Sequence, residues 1–97
     1  MEAKLAERAY GRFEILNKRG LHARAASKLV KLASSFSCDI QLSGASEEAV
    51  SAKSVMGVLL LCGTKGTIID VHADGDGAKQ AVAAIGALIA DLFGEGE

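Results

Sequence analysis

The sequence contains no proline and only two cysteines, and its charges nearly cancel. Without proline, no turn or helix entry is pre-set by a locked φ, so glycine, asparagine and serine must mark them. The cysteines, Cys38 and Cys62, are too far apart for a C-x-x-C redox or metal motif, and a reducing compartment keeps both as thiols. Cys38 falls in the alternation Phe36, Cys38, Ile40, Leu42, the inward side of a strand, and both cysteines are expected to be packing residues. Eleven Lys and Arg against twelve Asp and Glu leave a net charge of -1. That supplies no field to draw the chain onto nucleic acid or anionic lipid. The longest apolar stretch, 55–62, is interrupted by Gly57 and falls far short of the ~20 residues of a membrane span. Residues 1–8 lack the apolar segment of a secretory signal. A cytoplasmic protein with no membrane insertion and no nucleic-acid partner is therefore expected.

What is present is a globular composition, 49% hydrophobic and 24% charged over 97 residues, enough for one core and not two. The organisation expected is a flexible tail over 1–8, one domain over 9–93 and a flexible Gly-Glu tail over 94–97. Residues 10–16 place Gly11, Phe13 and Ile15 on one side and Tyr10, Arg12 and Glu14 on the other, the period of a half-buried strand. Asn17 to Gly20 supplies loop chemistry. From 23 to 35, Ala26, Leu29, Val30, Ala33 and then Phe36 recur at helical spacing. Strands over 38–43 and 48–52 flank a turn at 43–46, and Ser54 caps an apolar helix over 55–61 that Cys62 and Gly63 end. A strand over 67–73 precedes a long helix with Val82, Ile85, Ile89, Leu92 and Phe93 on one stripe.

The resulting order, βαββαβα, predicts an α+β fold of the open-faced β-sandwich kind: a four-stranded antiparallel sheet with three helices on one face. The other face is then wet, carrying Arg12, Glu14, Gln41, Asp70 and His72. Asp74 to Gly77 has the start of a calcium loop, but the position that needs a Glu holds Ile85, so no metal is expected there.

Chemistry concentrates in Gly20-Leu21-His22-Ala23-Arg24-Ala25-Ala26, a histidine at a helix entry with an arginine in the first turn. Unpaired backbone N–H groups and the partial positive charge of a helix N-terminus hold anions, and Arg adds a planar fork of permanent charge. A neutral imidazole offers a ring nitrogen that attacks phosphorus and later leaves. The plainer alternative, a capping histidine beside a solvated arginine, stays open on these residues alone.

This stretch resembles the phosphorylation-site motif of HPr, the histidine phosphocarrier family of the bacterial phosphoenolpyruvate-dependent phosphotransferase system. Lys53-Ser54-Val55-Met56-Gly57 resembles the family's regulatory serine motif. The resemblance implies that His22 carries the phosphoryl group as a phosphohistidine, accepting it from enzyme I and donating it to enzyme IIA domains in sugar uptake. Arg24 would stabilise the moving group, Val55 and Met56 would dock partners, and HPr kinase/phosphorylase would phosphorylate Ser54. It further implies a monomeric relay rather than a stand-alone enzyme, with no cofactor or metal. The family usually has Pro where this chain has Ala25; alanine keeps the helix but leaves its entry less rigid. A nitrogen-related regulatory branch is the alternative suggested by Leu59 to Leu61 and the acidic end of the chain. A non-catalytic α+β interaction module is the second alternative.

Overall fold

Side chains alternate between exposed and more buried along β1 (Arg8–Glu14) and β4 (Ile68–Asp74), which turns the apolar member of each pair to one side. In this computed structural model, which describes residues 7–44, 48–61 and 63–95, the two strands pair antiparallel, with Arg8 opposite Asp74 and Glu14 opposite Ile68. β2 (Asp39–Ser43) flanks β4 on its other side and carries the two-residue β3 (Val50–Ser51). The sheet order is β1-β4-β2-β3, antiparallel throughout.

Three helices, α1 (Ala23–Ser34), α2 (Val55–Leu60) and α3 (Ala78–Ala90), cover the apolar face. Leu29 and Ala33 of α1, Val58 of α2 and Ile85 and Ile89 of α3 share one buried core with Ile40, Leu42, Ile69 and Val71 of the sheet. A Cβ on Gly86 would overlap the Phe13 ring, so the glycine lets α3 lie close over β1. Cys38 is a buried free thiol, as expected; Cys62 and residues 45–46 of the expected turn lie outside the described residues.

The elements match the expected βαββαβα order, with boundary shifts that have local causes. β1 begins and ends two residues earlier than the 10–16 read from alternation. At its far end Ile15 leaves the ladder, donating to Thr67 O (2.8 Å) and accepting from Gly66 N (2.7 Å). At its near end Glu7 is tied into the fold: its carbonyl accepts from Gly75 N (2.7 Å) and its carboxylate from Gly77 N (3.3 Å) and Lys79 N (3.0 Å). Gly77 has no side chain with which to cap α3, so a carboxylate from 70 residues away takes part of that role. β3 is shorter than the 48–52 expected.

The final stripe breaks after Ala90. Leu92 and Phe93 adopt left-handed φ of 56° and 55°, forming a 3-10 turn (Leu92–Gly94) that swings the Phe93 ring into the core. Such backbone costs roughly 1–3 kcal/mol per residue. Full burial of a Phe side chain returns about 1.5–3 kcal/mol, so Phe93 offsets much of the cost of its own turn.

On the wet face, Asp70 Oδ1 accepts from Tyr10 Oη (2.7 Å) and Arg12 Nε (2.9 Å), and the Tyr10 ring packs on His72 at 4.8 Å. The hydrogen bond from Arg12, then that from Tyr10, holds the Asp70 carboxyl below its ordinary range. An unfolded chain therefore binds the proton first as pH falls. The stabilisation from Asp70 is present above the ordinary carboxylate range and lost as pH drops through the depressed folded value. Asp70→Asn should accordingly flatten the acid limb of a stability-versus-pH curve measured by urea denaturation; an unchanged acid limb would show that the cluster is fully screened by solvent.

Candidate functional site

The loop between β1 and α1 is set from inside. Asn17, fully buried, accepts from Gly20 N at its own carbonyl (3.1 Å) and donates from Nδ2 to Gly20 O (2.9 Å), closing the turn on itself. Gly20 has φ 66°, and a Cβ there would strike Gly63 O, so glycine is required on both counts. Leu21 N then donates to Gly63 O (2.7 Å), pinning the loop to the segment after α2. This delivers His22 to the N-cap of α1 in extended conformation, φ -77° and ψ 178°.

At that position the His22 carbonyl accepts the first helical bond, from Ala26 N (2.8 Å), and its ring Nδ1 accepts from Arg24 N (3.3 Å). Nδ1 thus carries a lone pair and points at the helix amides. Nε2 lies 2.7 Å from Glu95 Oε2, and since a carboxylate only accepts, Nε2 holds the proton. The His22 side chain is 24% exposed. Ala25, where the family usually has Pro, is fully buried inside the first turn of a regular helix.

Arg19, Arg24, Lys28, Gly94 and Glu95 line a cavity of about 350 Å³ next to this ring. Three cations face one carboxylate there, the charge balance of an anion site. Lys28 Nζ also donates to Phe93 O (2.6 Å), holding the 3-10 turn against α1. Burial disfavours ionisation of Glu95, but the hydrogen bond and charge of His22, the Asn17 amide and the Lys28 charge outweigh it and hold the carboxyl below its ordinary range.

The site brings together His22 and Arg24, both singled out from the sequence, with Glu95, Lys28 and Asn17, which were not. The sequence pattern assigns Glu95 to a flexible tail over 94–97, but in the structure His22 and Asn17 hold its carboxylate. Its contact with His22 joins residues 73 apart, and no local spacing signals such a pair. Ser54 sits at the entry of a different helix. Ser54 Oγ accepts from Gly57 N (3.1 Å) as the N-cap of α2, while Val55, Met56 and Leu60 are 38%, 69% and 70% exposed. These three form an apolar patch on a helix whose only buried residue is Val58.

Residues 10–91 match the family model described as the PTS HPr component phosphorylation site. The chain is 42% identical over 84 residues to the phosphocarrier protein HPr of Neisseria meningitidis, covering 87% of this chain and 93% of that one. It is 45% identical over 83 residues to the HPr of Cupriavidus necator, covering 86% and 92%. Its fold superimposes on the crystal structure of HPr from Thermoanaerobacter tengcongensis with a TM-score of 0.85 at 39% identity, over 90% of this chain and 97% of that one.

The cap at α2 has a measurable weight. Ser54→Ala should lower stability by about 1 kcal/mol in chemical denaturation, and unaltered stability would mean that water replaces the hydroxyl without loss.

Proposed function

The chain belongs to the HPr family of phosphotransferase-system phosphocarriers, and from that membership we propose that His22 Nδ1 takes a phosphoryl group from phosphorylated enzyme I and passes it to an enzyme IIA domain in sugar uptake. The observation that carries this is the division of labour on the ring: Nδ1, with its lone pair, sits at the helix N-terminus, while Nε2 keeps its proton on Glu95. In the transfer, the Nδ1 lone pair forms the bond to phosphorus as the bond from phosphorus to the donor breaks, its electron pair staying with the donor. The phosphoryl oxygens then meet the amides that open α1 and the guanidinium of Arg24. Reversal of the same step toward the acceptor releases the group. No bound cofactor or metal enters this scheme.

Val55, Met56 and Leu60 supply an apolar docking patch joined to the His22 loop through the Leu21 to Gly63 hydrogen bond. Ser54 borders this patch, so a phosphate placed on it by HPr kinase/phosphorylase puts a near-dianion where enzyme I docks. The protein works as a cytoplasmic monomer in this reading.

His22→Ala is expected to abolish labelling by enzyme I and radioactive phosphoenolpyruvate while leaving the circular dichroism spectrum intact; full labelling would remove His22 from the mechanism. Arg24→Ala should accept the label at least about tenfold more slowly, and an equal rate would reduce Arg24 to a surface charge. Protein phosphorylated on Ser54 should be labelled more slowly than untreated protein. Equal rates would leave Ser54 with its capping role alone.

A further inference from the structure

The transfer step above gives Glu95 no part once phosphorus is engaged, yet its carboxylate lies directly against the reacting ring. Its two oxygens have separate partners, Oε2 at 2.7 Å from His22 Nε2 and Oε1 at 3.4 Å from Asn17 Nδ2, and the side chain is 11% exposed. The segment that carries it is tied down at several points. Phe93 is fully buried, Lys28 Nζ holds the Phe93 carbonyl, Gly94 N donates to Asp91 O (2.9 Å) and Glu95 N to Leu92 O (3.0 Å). Through Asn17 the same carboxylate is coupled to the turn that presents His22.

We infer that Glu95 is a positioning residue for transfer at His22: its carboxylate holds the Nε2 proton, keeps the lone pair at Nδ1 and offsets the positive charge that the ring gains as Nδ1 bonds phosphorus. This rests on the phosphocarrier reading of His22. The physical basis is general. A carboxylate on the far nitrogen of an imidazole selects the tautomer and orients the ring, and it raises the electron density available at the near nitrogen. The ring changes from neutral to cationic during N–P bond formation, so a fixed negative charge at 2.7 Å favours the transition state over the ground state. When the phosphoryl group leaves, that charge disappears, and the same contact tempers how readily His22 gives it up.

The test uses the full chain and two variants, Glu95→Ala and Glu95→Gln. In the unphosphorylated protein at a pH where the ring is neutral, the nitrogen-proton correlation of Nε2 should be visible and shifted downfield. It should be lost to water exchange in E95A and retained with a smaller shift in E95Q, whose amide oxygen still accepts. Labelling by enzyme I should slow roughly tenfold in E95A, the order that a charge-assisted hydrogen bond contributes, with E95Q between E95A and the parent. A residue that merely packs the end of the chain would leave both variants alike and the nitrogen signal unmoved. An E95A protein that keeps the Nε2 signal, or that is labelled at the parent rate, overturns the inference. If the parent itself takes no label, the phosphocarrier reading falls instead, and the nitrogen spectrum alone decides whether Glu95 holds the proton.

Discussion

The hydrogen bond from the Arg24 amide to His22 Nδ1 is the interaction on which the arrangement of this protein turns. A helix must satisfy its first amides with something, and serine, threonine, aspartate or asparagine is the usual solution. Here the cap is an imidazole. In the proposed transfer, stability and chemistry share one atom, because the lone pair that caps α1 is the one that would meet phosphorus. A phosphoryl group on Nδ1 would place its oxygens, which are stronger acceptors, before the amides that Nδ1 had engaged, so the helix entry would exchange one partner for another without being left bare.

Holding a histidine in that role takes support from three directions. Gly20 turns the chain with a φ that other residues resist, Asn17 closes the turn from the interior, and Glu95 arrives from the opposite end of the chain to take the remaining ring nitrogen. The left-handed pair Leu92 and Phe93 is what brings Glu95 there. Backbone of that kind persists only where its surroundings over-determine it, and the buried Phe93 ring and the Lys28 to Phe93 bond do so. The turn looks wasteful as a helix ending, and it becomes intelligible once the carboxylate it delivers is considered.

The surfaces divide by chemistry. The open side of the sheet is polar and paired within itself through Tyr10, Arg12 and Asp70, which makes it a solvated face. The exposed apolar side chains of α2 lie on the helical side of the molecule, with Ser54 at their border. His22 and the apolar patch belong to different elements, and the backbone bond from Leu21 to Gly63 keeps the loop of one in register with the end of the other.

Alternation and helical spacing were enough to read the strands, the three helices and the open-faced sandwich, because burial on one side of an element repeats with that element's own period. Alternation of Tyr10, Arg12, Glu14 against Gly11, Phe13, Ile15 located β1 to within two residues, and the error arose where Glu7 and Ile15 take hydrogen bonds from loops distant in sequence. His22 and Arg24 were legible for a related reason: a capping position and the first turn that follows are adjacent in the chain, so a short motif records both. Ser54 was legible as a cap in the same way. Glu95 was not, nor was the second use of Asn17 as its partner, since a contact across 73 residues leaves no mark on local pattern. The sequence by itself therefore determined the kind of scaffold and that a histidine stands at the entry of α1. Only the tertiary structure decided which ring nitrogen keeps its lone pair, because that depends on a proton held by a carboxylate that folding alone brings near.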